Sequence, residues 1–208
     1  MKVTVFGLAF SCLAFLIFSA CSGNGDEHAR LGSMLLNSGQ YDKAINELKR
    51  SLSKGLSQTD PEIVLDQLGS CYYELYLNDS AATYYSYALQ ANPNFYPAMI
   101  GLGRTYRAME KYRLAEEMYL SAQQYDPDNS DIYISIISLY IYTGETDKAL
   151  KFGRISIERA PANPIGHANY AVALAKAGDM SGAQTHLSQA ESLGYEYVKE
   201  VQDMINSL

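Results

Sequence analysis

The chain has 208 residues, 23 of them acidic and 16 basic, with a formal net charge of −7, and it is 48% hydrophobic and 19% charged. That composition excludes wholesale disorder, and the acidic balance argues against a nucleic-acid binder, which needs a basic face for phosphates. Three Cys with no CxxC or Cys/His spacing exclude a disulfide framework and predict no metal site.

In chain order, the first element is an address. Met1-Lys2 supplies a positive charge, and residues 3–20 are almost wholly apolar. The run ends at Phe18-Ser19-Ala20-Cys21 and turns polar at once with Ser22-Gly23-Asn24-Gly25-Asp26-Glu27. A charged start, an apolar core and small residues before a cut predict a secretory signal. An uncleaved membrane helix is the alternative, because 18 apolar residues just suffice to span. The Ser19-Ala20-Cys21 ending resembles the bacterial lipoprotein lipobox, although Phe18 stands where Leu is preferred. The resemblance implies residues 1–20 as signal peptide, a diacylated and palmitate-bearing Cys21, and residues 21–27 as a short linker. It also implies a cell-envelope address, with Ser22 permitting sorting to the outer membrane and its periplasmic face. Asp26-Glu27 loosely resembles the acidic pair of surface-exported lipoproteins. Two or three acyl chains anchor stably, at about 0.8 kcal/mol per buried CH₂. Cys71 then remains as a lone thiol and reads as a small buried hydrophobe.

The remainder repeats every 34 residues. Ala81, Ala115, Ala149 and Ala183 keep that step, as do Pro93, Pro127 and Pro161, and Tyr72, Tyr106, Tyr140 and Leu174. Leu68, Leu102, Ile136 and Tyr170 form another column, followed by Tyr85, Tyr119, Gly153 and Leu187, and by Ala88, Ala122, Ser156 and Ala190. A period in this range marks a stacked repeat. Each unit holds two apolar stretches at i, i+3, i+4, i+7 spacing, such as Leu65, Leu68, Tyr72 and Leu75, which predicts paired helices. Breakers separate the pairs: Asn37-Ser38-Gly39, Leu77-Asn78-Asp79, Thr143-Gly144-Glu145 and Ala177-Gly178-Asp179. Pro and polar caps separate the units.

The order Leu-Gly-x-x-Tyr, Ala, Tyr, Ala, Pro at Leu68-Gly69-Ser70-Cys71-Tyr72 and Leu102-Gly103-Arg104-Thr105-Tyr106 resembles the tetratricopeptide repeat (TPR). Ile137 and Ala171 depart from it in the Gly slot, Gly153 departs in the aromatic slot, and Leu65, Met99, Tyr133 and His167 stand where Trp is usual. The fold class implied is all-α, a right-handed α-α superhelix of about five helix-turn-helix repeats. Their approximate bounds are 25–58, 62–95, 96–129, 130–163 and 164–197, within a domain over 28–208 that ends in a capping helix over 195–208. Gly69 and Gly103 are expected to face Ala81 and Ala115. The cap is expected to bury Tyr197, Val198, Val201, Met204 and Ile205, with Glu196, Glu200 and Asp203 in water.

No catalytic constellation is legible: there is no GxxxxGK[ST], GxSxG or HExxH, and His28, His167 and His186 lie in different units. His167 reads as packing, and His28 and His186 as exposed. The resemblance implies instead that the first helix of each unit lines a concave, partner-binding face. The matching positions are Tyr73, Ile100, Arg104, Arg107, Ile134, Ser138, Ile141, Tyr142, Val172 and Lys176. Tyr and Arg dominate interface energies, so the expected partner is another protein or peptide segment, with no enzyme activity and no cofactor. The positions matching a known chaperone-tail clamp hold Ala29, Ser33, Asp66 and Ser70, so that clamp is not expected. Abundant Tyr, which stacks on sugars, leaves glycan or peptidoglycan-fragment binding as the alternative.

Overall fold

The computed structural model describes residues 25–208, which form eleven helices and no strand among the described residues. The apolar leader and Cys21 lie outside them. The fold is that of an all-α tetratricopeptide array. Contacts divide it into two compact units, one ending at Pro93 and one beginning at Asn94.

The first unit holds α1 (Gly25–Asn37), α2 (Tyr41–Lys54), α3 (Pro61–Glu74) and α4 (Asn78–Ala91). The pairs α1–α2 and α3–α4 pack as hairpins, and α3 rests on both α1 and α2. Its core joins Ala44, Ile45 and Leu48 of α2 to Val64, Leu68 and Cys71 of α3. The second unit holds α5 (Tyr96–Ala108), α6 (Tyr112–Tyr125), α7 (Ser130–Thr143), α8 (Thr146–Arg159), α9 (Pro164–Lys176), α10 (Met180–Ser192) and α11 (Val198–Asn206). Three hairpins stack in order, the first helices α5, α7 and α9 touch in sequence, and α11 packs on α9 and α10.

All five hairpin turns close in the same way. An amide five residues on donates to a carbonyl of the last helical turn: Gln40 to Leu35, Leu77 to Tyr72, Lys111 to Tyr106, Glu145 to Tyr140 and Asp179 to Leu174, at 2.8–2.9 Å. The motif needs one left-handed residue. Gly39, Gly144 and Gly178 supply it, but Tyr76 (φ 59°) and Glu110 (φ 61°) do so elsewhere. The second breaker therefore sits one residue earlier than the Leu77-Asn78-Asp79 expectation, and α4 begins at Asn78. Asn129, Asn163 and Asp179 cap the helices they precede with side-chain oxygens.

The side chains nearest the glycine column are rings rather than the alanines. A Cβ at Gly103 would lie 2.5 Å from the Tyr119 ring, and one at Gly69 would lie 2.7 Å from the Tyr85 ring. Each glycine makes room for the aromatic residue on its partner helix. In the first hairpin Gly32 does the same for Leu48, at 2.6 Å. The fourth exchanges the sizes, with Ile137 buried on α7 and Gly153 on α8, where Tyr170 of α9 fills the space.

Tyr133 and His167 share a column and a task. The Tyr133 hydroxyl donates to the Pro127 carbonyl at 2.6 Å, and His167 Nε2 lies 2.9 Å from the Pro161 carbonyl. His167 is therefore a packing residue that ties its helix to the preceding turn. The capping helix α11 buries Val201 and Ile205, but Tyr197 and Met204 are exposed, contrary to expectation, because its nine residues bring only one narrow stripe onto α9 and α10.

Candidate functional site

The first helices of the second unit present the surface under test. Arg104 is exposed and Ile100 and Arg107 half-buried on α5, while Ile134, Ser138 and Ile141 are half-buried on α7. Lys176 is exposed at the end of α9. Tyr73 is half-buried on α3 in the first unit. Val172 is the correction: it is only 4% exposed and belongs to the cluster formed with Ala171, Leu174, Ala183 and Leu187, against which Ile141 also packs. The step from α7 to α9 is so close that this position is closed. Ser138 is likewise engaged, accepting from Asn169 Nδ2 of α9 at 3.3 Å.

What remains open gathers at the turn end of α5 and α7. Tyr142, 64% exposed, lies with its ring 5.5 Å from that of Tyr112 at the start of α6. The two share a side-chain hydrogen bond, which pushes the Tyr112 phenol up to about 12. Beside them a hollow of about 200 Å³ is lined by Arg107, Ala108, Glu110 and Tyr142. The left-handed turn at Glu110 brings these groups together by starting α6 close to the end of α5. The result is an aromatic pair with one guanidinium and one carboxylate at its edge, suited to an extended chain carrying apolar and charged side chains.

Tyr112 and Glu110 lie outside the first helices to which the repeat pattern points. The signal existed: the residue opening each second helix recurs at the same step as the others, as Tyr112, Thr146 and Met180. A second hollow of about 500 Å³ lies at the turn ends of α7 and α9, lined by Gly144, Thr146, Ala175, Lys176, Gly178, Met180 and Leu208. It places Lys176 next to an exposed Met180.

His28 and His186, expected in water, depart from that expectation. His28 is half-buried with Nδ1 2.6 Å from Glu47 Oε2. His186 is half-buried too, its Nδ1 3.0 Å from His167 Nδ1 and its ring 4.7 Å from Tyr170. Since the Pro161 carbonyl only accepts, His167 carries its proton on Nε2, and a neutral His186 donates from Nδ1. Burial and the neighbouring His167 pull His186 below the ordinary range, with Asp179 opposing. In the first unit, burial pushes the Asp66 carboxyl on α3 up to about 7. Ser70 is bonded to the Tyr85 hydroxyl at 3.1 Å. Cys71 is fully buried, and burial pushes its thiol up to about 11. Among the described residues no group of three or more His, Cys, Asp or Glu is placed to hold a metal ion. No helix among them is long and apolar enough to cross a membrane.

Two tetratricopeptide repeat models match the chain, over residues 100–164 and 28–53. The chain is 26% identical over 179 residues to a BBSome complex member BBS4 homolog of Drosophila melanogaster, covering 80% of this chain and 36% of that protein. It is 29% identical over 104 residues to the Homo sapiens protein O-mannosyl-transferase TMTC3, covering 49% of this chain and 11% of that protein. It thus spans only a minor part of either relative's length. The solved structure of TTC0263, a thermophilic TPR protein in Thermus thermophilus, matches with a TM-score of 0.70 at 18% identity, over 88% of this chain and 97% of that one. That likeness concerns the fold.

Proposed function

Because this chain is a tetratricopeptide repeat protein, we propose that it is a membrane-anchored adaptor of the bacterial cell envelope that grips another polypeptide and performs no catalysis. Interaction scaffolding is what the repeats themselves support. The anchor is lipid on Cys21, and the place is the periplasmic face of the outer membrane, in keeping with the leader and the lipobox-like ending. The observation that carries the binding role is the exposed Tyr142 paired with Tyr112 over a hollow edged by Arg107. A large aromatic left half in water beside a guanidinium is costly to hydrate and favourable to cover. Ile100, Arg104 and Ile134 extend the same surface, and Lys176 lies at its far end.

The test is co-purification from cells of the partner with wild type, Tyr142→Ala and Arg107→Glu proteins. Loss of the same partner in both variants, with helical content unchanged, supports the assignment. Retention in both contradicts it. The exposed tyrosine pair also favours a second reading, a site for glycan or peptidoglycan fragments, since sugar faces stack on phenol rings. Calorimetry separates the two: saturable heats with cell-wall glycans, abolished by Tyr142→Ala, support the second and count against the first.

A further inference from the structure

Helix α1 carries two apolar stripes. One, with Ala29 and Gly32, is buried against α2. The other, Leu31 and Met34, is 44% and 59% exposed. The same two positions are closed in later repeats, apart from Tyr170 of α9, which is half-buried. Leu68 and Cys71 hold them in the second hairpin, fully buried in a cluster with Ala44, Ile45 and Leu48 of α2. Leu102, Thr105, Ile136, Leu139 and Ala173 hold them in the second unit, and all are buried. The face that later hairpins hide is therefore uncovered on the first among the described residues, and its residues are apolar where the end of an array calls for polar ones.

The course of the chain says what covers it. Gly25 is buried against the Gly55 carbonyl, with no room for a Cβ. Next to it the Asp26 carboxylate accepts from the backbone amides of Ser57, Gln58 and Thr59 and from the Ser57 hydroxyl, at 2.5–3.3 Å. Gly25 follows Cys21 by four residues, a separation of about 14 Å at most. Met34 stands nine residues further along α1, about 14 Å from Gly25 at a helical rise of about 1.5 Å per residue. A lipid on Cys21 keeps this stripe within reach of the bilayer; of the exposed charges beside it, Arg30 suits anionic headgroups and Glu27 opposes them.

We infer that the Leu31–Met34 face of α1 lies on the membrane, pressed into the headgroup boundary, so that the anchor fixes an orientation as well as a place. The inference rests on the acylation of Cys21 proposed above. The chain has no Trp, so Met34→Trp in the full lipidated protein is a clean reporter, with Gln184→Trp on an exposed part of α10 as the control. Each is reconstituted into phosphatidylethanolamine/phosphatidylglycerol vesicles with and without brominated acyl chains, and the mass of the N-terminal peptide reports acylation.

An acylated Cys21 with about a twofold quenching of the residue-34 reporter, and none of the control, is expected for burial at the acyl boundary. Acylated protein that floats with vesicles while this reporter stays unquenched overturns the inference and leaves the anchor standing. That result includes the case in which a second copy covers the face, seen as dimers in sedimentation. A bare Cys21 in cells overturns both. Hydrogen exchange on the unsubstituted protein guards against a disturbed variant: α1 amides gain protection on vesicles if the face docks and keep their solution rates if it does not.

Discussion

Gly103 and Tyr119 act as one packing unit, because the ring occupies the volume that any side chain at 103 would claim. Gly103→Ala forces the helices apart and is expected to lose about 1–3 kcal/mol of stability, read as a lower urea midpoint. The fifth hairpin shows a different solution, with buried Ala171 and Leu187 in the same two columns. The double variant Gly103→Ala/Tyr119→Leu is therefore expected to lose less than the sum of its parts; strict additivity contradicts the pairing. Tyr76 and Glu110 hold left-handed backbone where three other turns use glycine. Tyr76→Gly and Glu110→Gly are each expected to gain about 0.5–1 kcal/mol, the relief of a left-handed side chain less the added freedom of unfolded glycine. Equilibrium unfolding with an unchanged m-value checks this.

The last repeat is held by an element and by a proton balance. Ile205 of α11 is buried on α9 and α10, and Ile205→Ala is expected to cost about 2–5 kcal/mol, with exchange protection lost first in α9 to α11. His186 is lowered by burial and by His167, so its unfolded form binds the proton more readily. Its contribution to stability is whole above the unfolded value, near 6.5, and is lost as pH falls from there through the lower folded value. Thermal melts from pH 7.5 to 5 are expected to decline in wild type and to decline less in His186→Gln, which keeps a donor for His167. Equal slopes contradict the assignment. At the other end, the Ser57 hydroxyl and the amides of Gln58 and Thr59 hold the Asp26 carboxyl well below the usual range. Its support for α1 is present at neutral pH and is lost only in strong acid.

At the scale of the whole chain, the hairpin array was legible because packing repeats itself. The 34-residue step, the i, i+3, i+4 spacing and the Gly and Pro breakers are each set by local contacts that recur in every copy. The missed features are those where copies differ or where contact crosses between helices. Tyr76 in a left-handed turn has no sequence signature, since its neighbours impose the conformation. The Gly69–Tyr85 pairing depends on the rotation of two helices about each other, which a column of small residues does not specify. Val172 is half a site by its position and wholly core by its surroundings, because α7 and α9 sit closer than α5 and α7 need to. Tyr112 reaches the Tyr142 ring from the start of a second helix, outside the helix face that the repeat pattern points to.

Under the proposed function, Tyr142 and Arg107 are where another polypeptide is held. A photoreactive residue at position 142, activated in cells and followed by mass spectrometry, tests it most directly, with the same residue at exposed Gln184 as control. One dominant protein adduct is expected from 142, absent at 184 and lost when Arg107→Glu is added. An adduct pattern identical at the two positions, or one from 142 that is indifferent to Arg107, would contradict it.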